Sequence, residues 1–143
     1  MTNTAPVPRP CSIASALDVL GERWALLMLR EVHYGVHRFD AIQRNVGAPR
    51  DVLTKRLNRL VEAGVIERRQ YSQRPPRFEY HPTAAGDDLR PVLLLLDAWG
   101  ARWMPDRPQT EDTFIHDCGR ELQPALVCRA CGRPVTGRDI TVH

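Results

Sequence analysis

Between positions 50 and 81 the apolar period of the chain changes once, and that change limits the folds open to it. Leu53, Leu57, Leu60 and Val61 recur on one helical face, with Asp51, Lys55 and Arg59 roughly opposite, and Gly64 then offers a helix stop. Residues 65–71 and 78–81 read instead as two short strands, joined by a stiff basic loop at 72–77 that holds Arg74 and Arg77. Ahead of the helix, Val46-Gly47-Ala48-Pro49 is a turn. Gly47 can take a positive φ, and Pro49 suits the first helical position, so the helix is predicted over about 49–63.

Three helices are predicted before that turn. The first runs from Cys11 or Ser12 to Leu20 and carries Ile13, Ala16, Leu17 and Leu20 on one face, with Gly21 interrupting it. The second covers about 22–33 with Trp24, Leu27 and adjoining apolar residues facing inward, and the third covers about 39–45 and buries Phe39 and Ile42. Short helices, a longer helix and a hairpin with a basic tip, in this order, spell a winged helix-turn-helix. The predicted class is α+β, mainly helical, with the winged domain over 11–104 after a proline-bearing flexible arm at 1–10.

Thr83 is a suitable N-cap for a long helix reaching about Met104. Leu89, Val92, Leu93, Leu94, Leu95, Leu96, Trp99 and Trp103 cover more than one of its faces, so it needs burial on two sides. A domain this small offers one. The second side is expected to meet another copy of the chain, since isologous dimers are the commonest oligomers; the alternative is packing on a C-terminal appendage. The predicted dimer interface comprises Ile13, Leu17, Leu89, Leu93, Leu96, Trp99 and Trp103.

Charge is segregated along the chain. Positions 38–77 hold ten Lys/Arg against four Asp/Glu, and positions 78–117 hold three against eight, so one block suits a polyanion and the next does not. No apolar run approaches the roughly 20 residues that span a bilayer, and the first ten residues lack the apolar core of a secretory signal. The expected location is therefore the cytoplasm, where thiols stay mostly reduced. No nucleophile–base pair and no glycine-rich phosphate loop is evident, which argues against an enzyme.

After a linker at 105–113, residues 114–143 form a separate module with His116-Asp117-Cys118-Gly119 and Cys128-Arg129-Ala130-Cys131-Gly132. A Cys-x2-Cys-Gly turn is the form of a zinc knuckle: two thiolates converge on one ion, and the glycine permits the tight backbone. Cys118 adds a third sulfur and His116 a fourth ligand, which gives a closed, structural Cys3His zinc site; Asp139 and His143 are alternative fourth ligands. The competing reading is a redox pair of Cys128 and Cys131.

Several short motifs in sequence resemble the HxlR family of winged helix regulators. They are Cys11-Ser12-Ile13, Leu20-Gly21-Glu22-Arg23-Trp24, Arg38-Phe39, Val52-Leu53-Thr54-Lys55-Arg56-Leu57, Glu62-Ala63-Gly64-Val65-Ile66, Pro75-Pro76-Arg77 and Glu79-Tyr80. The resemblance covers Cys11 to Met104 and implies a dimeric DNA-binding transcription factor that represses or activates near its own gene. Ser12 stands where many members have proline, and Asp51 where a basic residue is common.

On this reading helix 49–63 enters the major groove. Arg50, Asp51, Thr54 and Lys55 are expected at base edges, with Asp51 either accepting from cytosine N4 or orienting Arg50. Arg56, Arg59 and Arg38 are expected on phosphates, and Arg74 and Arg77 on the adjacent minor groove or its backbone. Cys11 opens the first helix, where helix N-termini favour the thiolate form of a cysteine. In some members of the resembled family a cysteine there senses oxidants or electrophiles; the other reading is a buried packing residue near the dimer interface. Two further functions stay open. One is a small-molecule-gated regulator with Trp99 and Trp103 lining its pocket, and the other is an interaction adaptor using the zinc module.

Overall fold

The computed structural model describes residues 4–143, in the order α1 (Ser12–Leu20), α2 (Arg23–His33), α3 (Phe39–Val46), α4 (Arg50–Glu62), β1 (Ile66–Gln73), β2 (Pro76–Pro82), α5 (Ala84–Asp88) and α6 (Arg90–Trp103). Contacts divide the chain into two compact units, one reaching to Arg90 and one from Pro91 to His143. The first is a winged helix-turn-helix.

Its core is built where α2, α3 and α4 meet the hairpin. Ala25, Met28, Leu29 and Val32 of α2, Ile42 of α3, and Leu53, Leu57 and Leu60 of α4 are buried with Val65, Ile66 and Tyr80. Each fully buried Leu, Ile or Met contributes about 1.5–3 kcal/mol by leaving water. Three of the four predicted α4 stripe residues are these buried leucines, and the fourth, Val61, is half-buried. On α2 the residues adjoining Trp24 and Leu27 form the inner face: Ala25, Met28 and Leu29 are buried, while Trp24 and Leu27 themselves are only half-buried. Glu22 fixes that phase: as N-cap it accepts from the backbone N–H groups of Trp24 (3.0 Å) and Ala25 (2.6 Å). Phe39 is likewise half-buried rather than in the core, and Ile42 alone anchors α3.

The hairpin is longer than expected. Ser72 pairs with Arg77 and Gln73 with Pro76, so the ladder consumes most of the 72–77 loop and leaves Arg74 and Pro75 at the tip. Two features permit this. Pro76 is the first residue of its strand, where its missing N–H is tolerated, and Ser72 Oγ donates to the Pro75 carbonyl at 2.9 Å. A bulge between Gln70 and Ser72 shifts the register.

The expected long helix from Thr83 to Met104 is two helices. Thr83 caps α5 by accepting from Gly86 N–H, but α5 ends at Asp88, and its C-cap Leu89 turns its N–H back to the Gly86 carbonyl at 3.1 Å. Pro91 is the cause. It has no N–H to extend the ladder of α5, a lack that is tolerated in the first turn of α6, where Pro91 is the second residue. α6 then buries none of its residues fully, and Leu96, Trp99 and Trp103 are exposed.

Candidate nucleic-acid interface

The segment joining α3 to α4 is set by three small residues. Gly47 takes the left-handed conformation (φ 78°) that closes α3 on the Gln43 carbonyl at 2.8 Å, and Ala48 is buried beneath the turn. Pro49 is the N-cap of α4 rather than its first residue, so Arg50 opens the helix. Because Leu53, Leu57 and Leu60 face the core, the opposite side of α4 presents Arg50, Asp51, Thr54, Lys55 and Arg59 to solvent. Asp51 in the first turn also complements the positive end of the helix.

The cations differ in how they are held. Arg50 Nη1 lies 3.4 Å from Asp40 Oδ1, and its guanidinium carbon sits 4.6 Å from the Phe39 ring centroid. The carboxylate that orients Arg50 is therefore Asp40, on α3, and not Asp51. Arg56 is half-buried and pairs with Glu22 at 3.3 Å, which ties α4 to the capped start of α2. Arg38 is 3.5 Å from Glu79 and stacks over Tyr71 at 4.4 Å. Lys55, Arg59, Arg74 and Arg77 have no ion pair among the described residues. Thr54 Oγ1 donates to the Arg50 carbonyl at 2.9 Å, so its hydroxyl meets a ligand as an acceptor.

The hairpin is fastened to the helices. Arg38 bridges Glu79 as an added antiparallel partner, and Tyr80 N–H donates to the His37 carbonyl at 2.8 Å. His37 and His81 stack with ring centroids 3.9 Å apart, each ring bonded to a strand acceptor: the Tyr80 carbonyl at 2.7 Å and Glu79 Oε2 at 3.1 Å. The bond from His81 holds the Glu79 carboxyl below the ordinary carboxylate range, aided by Arg38. Glu31, Asn45 and Glu79 carry no sequence signal of these roles. Glu31 is buried in α2 and accepts from Arg30 Nε at 3.0 Å and Asn45 Nδ2 at 2.8 Å, which locks α3 onto α2.

Cys11 is exposed at the N-cap of α1, with Ile13 and Leu17 exposed on the same helix. In the second unit, His116 and Cys118 lie in one turn closed by Gly119 (φ 83°), and Cys128 and Cys131 in another closed by Gly132 (φ 73°). Cys118 N–H donates to His116 Nδ1 at 3.2 Å. The Cys118 thiol is lowered, chiefly by His116, and the Cys131 thiol by the backbone N–H of Arg133. Cys128, Cys131 and Asp139 line one cavity, but no group of three or more His, Cys, Asp or Glu is gathered as for a metal among the described residues. Asp139 instead accepts from Thr136 N–H at 2.9 Å. A small cavity beside α6 is lined by Leu94, Asp97, Ala98 and Ala101 with Phe114 and Leu122, without Trp99 or Trp103. No helix among the described residues is long and apolar enough to cross a membrane.

The sequence profile of the HxlR-like helix-turn-helix family matches residues 19–108. The chain is 43% identical over 132 residues to Rv3095 of Mycobacterium tuberculosis, an uncharacterized HTH-type transcriptional regulator, covering 91% of this chain and 83% of that one. Among solved structures it is similar to PA1607, a candidate transcription factor, with a TM-score of 0.79 and 30% identity over 93% of this chain and 94% of that one. It is also similar to the redox regulator HypR in its reduced form, with a TM-score of 0.58 and 29% identity, covering 67% of this chain and 98% of that one.

Proposed function

This chain belongs to the HxlR-like helix-turn-helix family of transcriptional regulators, and from that premise we propose that it is a sequence-specific regulator binding duplex DNA as a homodimer. Family and fold mark a regulator rather than an enzyme. The observation that carries the DNA reading is the solvent face of α4: Arg50, Asp51, Thr54, Lys55 and Arg59 stand together on a helix whose other side is locked into the core. Its N-terminal turns enter the major groove, Arg38, Arg56 and Arg59 meet phosphates, and Arg74 and Arg77 reach the backbone or minor groove from the wing. The second copy covers the apolar side chains that α1 and α6 leave in water.

Cys11 is the proposed sensor. It is exposed at a helix N-terminus, and the similar HypR is a redox regulator. Fluorescence anisotropy on the duplex upstream of its own gene tests both points, with an unrelated duplex and Cys11→Ser in parallel. The expected result is preferential binding that an electrophile abolishes in the wild type alone. Equal binding to both duplexes would defeat the regulator reading, and loss of binding in treated Cys11→Ser would defeat the switch.

The C-terminal turns are proposed to hold one structural zinc. Three thiols and an imidazole are a donor set that suits zinc, and both turns have the glycine-closed backbone of a knuckle. His116 and Cys118 would close from one turn and Cys128 and Cys131 from the other, and the ion would supply folding energy to a module with little core of its own. Elemental analysis of protein purified without chelator should find about one zinc per chain; a value near zero would end the proposal.

A further inference from the structure

The recognition helix opens with an arginine that is already aimed. Arg50 is the first residue of α4, and two neighbours from the first turn of α3 hold its guanidinium: the Phe39 ring at 4.6 Å and Asp40 at 3.4 Å. Both charged side chains are largely in water, 70% and 86% exposed, so the pair contributes little to folding. Asp40 engages Nη1 only, which leaves the Nε and Nη2 N–H groups for a ligand. A guanidinium edge with two parallel donors matches the O6 and N7 acceptors that guanine shows in the major groove. A phosphate held by a flexible cation needs no such buttress.

Deepening the DNA-binding reading and resting on it, we propose that Asp40 is a specificity-determining positioning residue, holding Arg50 so that its free edge reads one guanine in each half-site. The carboxylate sets the plane of the fork and the ring limits its swing. Asp40 also repels phosphate, so it disfavours use of Arg50 as a mere backbone contact on unrelated duplex.

The test is selection from a pool of random-sequence duplexes long enough for two half-sites about 10 base pairs apart, followed by sequencing of the bound fraction. Wild type, Asp40→Asn and Arg50→Lys are compared. The wild type should enrich a guanine at one position of each half-site. Both variants should lose that preference by about tenfold and keep the preferences at other positions. Arg50→Lys retains the charge and loses the fork, so it marks the position that Asp40→Asn must also affect. Guanine preference intact in Asp40→Asn, or preference lost evenly across the site, would overturn the assignment. A wild type that enriches no motif would overturn the DNA-binding reading itself, and this inference with it.

Discussion

Lys55 and Arg77 are both exposed and free of ion pairs among the described residues, yet the proposed function gives their positions different work. Lys55 stands on the outer face of α4, and Arg77 near the tip of the hairpin. Lys55→Ala should therefore weaken binding and relax preference at particular bases, whereas Arg77→Ala should weaken binding to all duplexes alike and lower the salt slope by about 1. Anisotropy on matched and mismatched duplexes separates the two, and identical profiles would remove the distinction between groove and backbone. Glu31 belongs to stability rather than binding. Its buried carboxylate is the acceptor for Asn45 and for its neighbour Arg30. Glu31→Ala removes that charged acceptor between α2 and α3, and urea unfolding should register a loss of about 2 kcal/mol; an unchanged midpoint would mean that water replaces the carboxylate without cost.

At the level of elements, His33 joins α2 to α5 through a bond from Nε2 to the Gly86 carbonyl at 3.0 Å. Burial pulls its pKa below the ordinary 6.5, opposed by that bond, with Arg90 lowering it further and Asp87 raising it. The folded state thus prefers the neutral ring. Its contribution is complete above the unfolded value and is lost as the pH falls through the folded one. Melting temperature should drop as the pH falls below the ordinary 6.5, and by less in His33→Gln; parallel curves would place the pH sensitivity elsewhere. The sequence made the order of elements legible because each boundary had a chemical marker. Gly47 and Gly64 both take positive φ where stops were read, and the α4 stripe needed only its period. Pro91 was an equally plain marker, obscured by the leucine run after it, and it divides the expected long helix. The hairpin tip misled because Pro75 and Pro76 suggest a loop, while a two-stranded ribbon accepts Pro76 at a strand start. The outward face of α4 was readable as the complement of its apolar stripe. Asp40, Glu22 and Glu79 were not, because ion pairs between elements depend on how the helices cross and leave no periodic trace.

For the molecule as a whole, the proposed dimer rests on two helices that lie outside the core. α1 and α6 each lack a fully buried residue, and Ile13, Leu17, Leu96, Trp99 and Trp103 are all more than half exposed. Apolar side chains in such number are costly to leave in water, and a two-fold partner would cover the same residues on both subunits. Sedimentation should therefore give twice the 16.3 kDa chain mass at micromolar concentration. Leu17→Glu or Trp99→Glu would place a carboxylate in the proposed interface of both subunits and should yield monomers, since neither side chain is needed in the core. DNA binding supplies an independent measure of the same assembly. If each subunit neutralises about four phosphates, log affinity falls with log salt at a slope near −7 for the dimer and about half that for a monomer. The glutamate variants should thus lose salt sensitivity together with affinity for paired half-sites. A monomeric wild type, or variants that dissociate yet keep the steep slope, would mean that the exposed apolar faces serve some other contact.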